Sequence, residues 1–291
     1  MRFCLALALA GLTGCSAPLD AIVLRPAFDA PHSPEEFGVK VERVNLPLEE
    51  GQVRLWHFAT PNSKALIVVA PGSDANKSRY AAYAPIFIER GYELVLMDYR
   101  GFGEGIDDGP PTLVKASQDV VAALEYATER HENVYAYGVS LGAALLAHAA
   151  TQVEVDGVIL EATLVLDDLV PLWLDQRNLD FIPFVAIGDL FVDVQSPAAL
   201  DVARWVPRIE APKLFLHGPA DDVTPIEGAR EVYAAAAGRK EFVEVPGGHG
   251  RFIQEDAEAW MDLVDQWVEG EITGVRGLRP GSPADVGRGE R

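Results

Sequence analysis

The chain has 291 residues, 49% of them hydrophobic, and sets 44 acidic side chains against 24 basic ones, a formal net charge of −20. That length is ample for one large core and is a common size for a single α/β domain. A surface this acidic is repelled by phosphate backbones, which excludes nucleic acid as a natural partner.

Both cysteines, Cys4 and Cys15, lie at the N-terminus. Arg2 precedes a short apolar run, and small residues precede Cys15, in the pattern of a secretory signal; the run is too short to span a bilayer. Leu12-Thr13-Gly14-Cys15 resembles the bacterial lipobox. The resemblance implies a signal peptide over 1–14 and Cys15 as the lipidated N-terminus of a membrane-anchored protein on the periplasmic side of the cell envelope. Ser16 in place of Asp after the cysteine points to the outer membrane in an enterobacterial-type cell. An ordinary secretory signal with an incidental cysteine is the alternative. Residues 15–38, with Pro18, Pro26, Pro31 and Pro34, read as a semi-extended tether. Within it, Ile22-Val23-Leu24 and Phe28 are apolar enough to pack on the body.

The domain proper spans 39–269. Alternating apolar residues at Val41, Val44 and Leu46, then Val53 and Leu55, predict two strands joined by a turn at Glu50-Gly51. Thereafter apolar strands alternate with amphipathic helices. Strands are expected at 65–70, 93–98, 134–137, 157–160, 213–217 and 241–245. Helices are expected at 80–90, at 113–130, after Ser140, from Thr224 with a capping box and proline at N1, and at 255–268. Continuous apolar strands between helices imply an α/β fold: an eight-stranded, mostly parallel sheet with helices on both faces. The stretch 162–210, carrying Trp173, Phe181, Phe184, Phe191 and Trp205, reads as a small helical insert over the strand ends. The Gly-, Pro- and Arg-rich tail 270–291 reads as disordered.

Gly138-Val139-Ser140-Leu141-Gly142 lies between a strand and a helix, the setting of a nucleophile elbow. A serine hydroxyl needs a base, and the base needs an orienting carboxylate. Of six histidines, His249 lies in a glycine-flanked loop after the last strand, Val245-Pro246-Gly247-Gly248-His249-Gly250. His217 closes a strand and reads as structural; His148 lies on the helix behind the serine; His32, His57 and His131 fall in lead-in or connecting segments. Asp221 and Asp222 follow the strand that ends at His217 and are both candidates for the orienting acid. The oxyanion donors expected are the backbone N–H groups of Leu141 and of Ser73, in the loop after the first parallel strand. Asp74 beside it is expected to face solvent or bond nearby backbone. No metal or cofactor is called for.

With Pro71-Gly72-Ser73, Asp98-Tyr99-Arg100-Gly101-Phe102-Gly103, the elbow, His217-Gly218-Pro219-Ala220-Asp221-Asp222 and Gly248-His249 in view, the chain resembles the α/β-hydrolase superfamily over 39–268. It is most similar to the small-capped branch that includes protein depalmitoylases. The resemblance implies a Ser140–His249–Asp221 triad, since the branch's acid falls three residues after the Gly of the His-Gly pair. It also implies a small-molecule or acyl-protein ester or thioester as substrate. Pro71 stands where the branch usually has His, and Ala143 where it often has Gly. The Asp98–Gly101 run reads as a structural corner. A serine peptidase of the same fold and a non-catalytic binding lipoprotein are the competing readings.

Overall fold

The computed structural model describes residue 20 and residues 23–165, 200–272 and 274–277. The expected signal peptide, Cys15, the insert residues 166–199 with Trp173, Phe181, Phe184 and Phe191, and the tail beyond 277 lie outside the described residues.

Two strands open the domain, β1 (Glu42–Pro47) and β2 (Gln52–Phe58), antiparallel about the expected turn. β3 (Ala65–Ala70) and β4 (Tyr92–Asp98) follow, then β5 (Val134–Val139), β6 (Gly157–Glu161), β7 (Lys213–His217) and β8 (Lys240–Glu244). A ninth strand, β9 (Val275–Gly277), pairs parallel with β8, in the stretch expected to be disordered. The sheet order is β1-β2-β4-β3-β5-β6-β7-β8-β9, with β3 through β9 parallel to one another. This is the α/β-hydrolase fold, with one strand beyond the eight expected.

β3, β6 and β7 are buried along their whole length, as a parallel sheet covered on both faces requires. Side chains alternate between faces. On β3, Leu66, Val68 and Ala70 enter one core, with helices α2 (Leu113–Thr128) and α3 (Leu141–Ala149). Ala65, Ile67 and Val69 enter the other, with α1 (Ala84–Glu89) and the C-terminal helix Ala257–Val268. The short α4 (Val202–Trp205) lies against α3, and α5 (Ile226–Ala235) against β7.

Some local expectations shift for physical reasons. The helix expected over 80–90 is divided into a 3-10 turn, Lys77–Tyr83, and α1, because Pro85 lacks the N–H that a continuous helix would use. The last helix is likewise two pieces, α6 (Phe252–Glu255) and α7 (Ala257–Val268), with Asp256 capping α7 through a bond from Ala259 N–H. The capping box expected at Thr224 does not form: Pro225 is the N-cap of α5 and no side chain bonds its first turn. In the lead-in segment Val23, Leu24 and Ala27 are buried, whereas Phe28 is exposed.

The Asp98–Gly101 corner is a polar hub beneath the loops. Asp98 takes the Lys77 ammonium and the backbone N–H groups of Lys77 and Glu104. Arg100 is bound by Asp119 at 2.6 Å, by the carbonyls of Glu50 and Lys115, and by Gln118. Arg100 and Asp119 are both buried, so removing one partner strands a charge. Asp119→Ala should cost about 3–5 kcal/mol, read as a fall in the urea midpoint. Asp107→Ala, at an exposed position, should stay within about 0.5 kcal/mol. Equal midpoints for the two variants would refute the hub.

Candidate active site

β5 runs straight into the elbow. Ser140 adopts φ 53° and ψ −114°, a conformation that costs a non-glycine residue roughly 1–3 kcal/mol and persists only when its surroundings enforce it. They do so through bonds on both sides of the residue. The Ser140 N–H donates to the Glu161 carbonyl at 2.9 Å, and the Leu164 N–H donates to the Ser140 carbonyl at 3.3 Å. Gly138 and Gly142 supply clearance. A Cβ on Gly142 would sit 2.0 Å from the Ala70 carbonyl oxygen, and one on Gly138 2.6 Å from the Gly142 carbonyl oxygen. The left-handed backbone falls on the serine itself and on neither glycine.

The three expected side chains meet above the strand ends. His249 Nε2 lies 2.9 Å from Ser140 Oγ, and His249 Nδ1 lies 2.9 Å from Asp221 Oδ2 and 3.1 Å from Oδ1. Asp222, the other candidate, is exposed on the rim. Asp221 is fully covered and densely bonded: the N–H groups of Val223 and Thr224 donate to Oδ1, each at 2.9 Å, and the Thr224 hydroxyl donates to Oδ2 at 2.9 Å. Burial pushes the Asp221 carboxyl up, but its bond to His249, that imidazole's charge and the backbone donors outweigh burial. They hold it below the usual carboxylate range, so it stays ionised beside the ring.

Thr224 was legible in sequence only as a helix cap. Its actual work is to donate twice to Asp221, and its Oγ1 also lies 3.2 Å from His249 Nδ1. The signal that could have found it is the Asp-x-x-Thr spacing, at which an aspartate side chain gathers the N–H groups two and three residues on. His217 is structural, as expected: its Nε2 bonds the Thr224 carbonyl at 2.8 Å beneath Asp221. Burial lowers its pKa, which keeps the ring neutral there. The remaining histidines are engaged away from the serine. His148 bonds Ser117 and packs on Trp205, His57 bonds Tyr126 and Glu93, His131 bonds Ser63, and His32 bonds Glu36.

Leu141 is the first residue of α3, so its N–H has no acceptor within the helix. Ser73 lies in the loop after β3, and that loop is pinned at three successive carbonyls. The Tyr99 hydroxyl donates to Pro71 at 2.8 Å, the Ala75 N–H to Gly72 at 3.3 Å, and the Arg25 N–H to Ser73 at 3.1 Å. The loop reaches the nucleophile, since a Cβ on Gly72 would lie 3.7 Å from Ser140 Cβ. Asp74 is exposed. Ser140 and His249 open into a cleft of about 420 Å³ lined also by Asp74, Arg79, Tyr80 and Arg251. A larger groove of about 700 Å³ runs along α2 past Leu48, Val114 and His148 and contains none of the three.

Comparison with known proteins fits this geometry. The family model Hydrolase_4, described as serine aminopeptidase, S33, matches residues 61–182, which is less than half of the chain. An uncharacterized protein of Mycobacterium tuberculosis is 26% identical over 220 residues, covering 73% of each chain. The uncharacterized protein YfhR of Salmonella typhimurium is 27% identical over 231 residues, covering 73% of this chain and 74% of its own. Among solved structures, the Pyrococcus furiosus esterase Pf2001 superposes with a TM-score of 0.70 at 18% identity, over 85% of this chain and 97% of the esterase. The family model and the solved esterase together show the fold of the α/β-hydrolase superfamily.

Proposed function

We propose that the protein is a serine hydrolase that cleaves a carboxylic ester or thioester through an acyl-enzyme. One observation carries the reading: the unbroken chain from Ser140 Oγ through His249 to a buried, ionised Asp221, at 2.9 Å for each bond. In this scheme His249 Nε2 takes the serine proton as Oγ attacks the substrate carbonyl, and Asp221 balances the imidazolium that forms. The N–H groups of Ser73 and Leu141 bind the oxyanion of the tetrahedral intermediate. His249 then gives its proton to the departing alcohol or thiol, and water repeats the sequence on the acyl-enzyme. The structural likeness to an esterase supports the ester class.

A second reading is a serine aminopeptidase, favoured by the description of the matching family model and by Asp74 and Asp222 on the cleft, which could receive a substrate's free amine. Parallel assays on p-nitrophenyl esters and aminoacyl p-nitroanilides separate the two. A non-catalytic binding role is opposed by the intact serine, histidine and elbow glycines.

Ser140→Ala should abolish ester hydrolysis, a loss on the order of a million-fold, with the fold retained. A variant keeping a tenth of wild-type turnover would sink the assignment. Asp221→Asn should cost about ten-thousand-fold by favouring the wrong imidazole tautomer, while Asp222→Asn should leave turnover near wild type. Equal losses from the two would reassign the acid.

The anchoring reading belongs to the same proposal: Cys15 carries acyl chains and holds the domain at the periplasmic side of a membrane. Among the described residues no helix is long and apolar enough to cross a membrane. Cys15→Ser should move the protein from the membrane fraction to the soluble one without lowering activity on a short-chain ester. Wild-type protein left unlabelled by a metabolic fatty-acid probe would end the lipoprotein reading and leave the triad untouched.

A further inference from the structure

β6 ends in Glu161, beside the strand that carries the nucleophile. Its side chain is 1% exposed and takes part in no ion pair among the described residues. Burial pushes its carboxyl up, opposed by hydrogen bonds and by the charge of His249. A carboxyl in such a place is costly, and a leucine would fill the volume without that cost. What the carboxyl provides is a set of directional bonds. The Tyr137 hydroxyl donates to Oε2 at 2.5 Å, and the Phe252 N–H donates to Oε1 at 3.1 Å. The main-chain carbonyl of the same residue takes the Ser140 N–H at 2.9 Å.

These three donors belong to two otherwise separate pieces of chain. Tyr137 and Ser140 lie on β5 and its elbow; Phe252 opens α6, three residues after His249. Between His249 and Phe252 the chain passes Gly250, at φ +58°, where a Cβ would lie 2.5 Å from Val139 Cγ1. The histidine loop is therefore pressed against the nucleophile strand and fastened to it by one side chain. Asp221 sets the rotation of the imidazole from the far side of the ring; it does not fix how far the loop stands from Ser140.

We propose that Glu161 is a positioning residue that holds the His249 loop at proton-transfer distance from Ser140. It touches neither substrate nor the reacting atoms and acts through the backbone of Phe252 and the strand of Tyr137. The proposal rests on the serine-hydrolase reading above.

The test is turnover of a short-chain p-nitrophenyl ester, expressed per active site titrated with a fluorophosphonate. A merely structural role would lower the number of titrated sites; a positioning role lowers the rate at each. Glu161→Leu should reduce kcat per titrated site by about a hundredfold, the scale of a misplacement near 1 Å, with KM little changed. Glu161→Gln keeps a carbonyl acceptor for the Phe252 N–H and should recover about tenfold of that loss. If Glu161→Leu does not fold, Glu161→Asp, which withdraws the carboxyl by one methylene, should lower kcat per site about tenfold. Wild-type kcat per site in Glu161→Leu or Glu161→Asp overturns the proposal, as does a Gln variant no better than Leu. Wild-type protein that neither labels nor turns over the ester overturns the parent reading and this proposal with it.

Discussion

Everything at the site depends on the close approach of the elbow to the end of β3. The Gly142 backbone is so near the Ala70 carbonyl that no side chain fits between them. That contact drives the first turn of α3 against the central strand and leaves the strain on Ser140, whose positive φ lifts its hydroxyl clear of the sheet. It also brings the loop after β3 alongside, so that Gly72 lies against Ser140 and both line the cleft. β3 and β5 are adjacent in the sheet, whereas the chain leaves β3 for β4 on its other side. The site therefore forms at the point where the strand order reverses, where the two loops diverge and open a crevice.

Around that contact the polar groups are arranged so that neither Asp221 nor His249 is held by a single bond. Asp221 is ionised in a covered position because three donors from Val223 and Thr224 in its own short loop, joined by His249 from another, more than offset its loss of water. His217 closes the loop from below as a neutral donor to Thr224. The loop after β3 has each of its first three carbonyls occupied. Rigidity here comes from backbone groups on separate strands. It survives only while the sheet register and the hub at Asp98 and Arg100 are intact, since Tyr99 of that same corner pins Pro71.

The features legible in the sequence are the local ones. A glycine two residues either side of a serine, after an apolar strand and before a helix, reports a clearance problem solved within five residues. The strand-and-loop alternation likewise placed Asp221 and His249 at strand ends, though choosing Asp221 over Asp222 took the resemblance to a family; the geometry rests on Asp221's contacts with Thr224 and His249. What did not show was tertiary. Glu161 reads only as the residue that follows the apolar strand 157–160, and nothing within ten positions announces that Tyr137 and Phe252 converge on it. Thr224 reads as a cap because its sequence neighbours suit one, yet Asp221 outcompetes the helix for its hydrogen bonds. β9 is three residues in a glycine- and arginine-rich stretch, too short for any periodicity, and exists because β8 offers an unpaired edge.

The N-terminal segment changes meaning in the same way. Its prolines suggest a free tether to residue 38, but Val23, Leu24 and Ala27 are buried and the Asn76 amide donates to the carbonyls of Ala27 and Asp29 at 3.1 and 2.6 Å. Arg25 adds its bond to Ser73, within the loop that would supply an oxyanion donor. The segment is tied to the body at Asp20 and again from residue 23 onward. Asp20 already accepts the Leu113 N–H at 2.8 Å, so if Cys15 is the anchor, the length available for standing off a membrane is that between residues 15 and 20, at most about 18 Å when fully extended. A chain whose full sequence carries a net charge of −20, held that near an anionic surface, is repelled by it within roughly a Debye length of about 8 Å at physiological salt. The short leash and the repulsion act in opposite directions, and their balance would set the cleft beside the bilayer rather than in it.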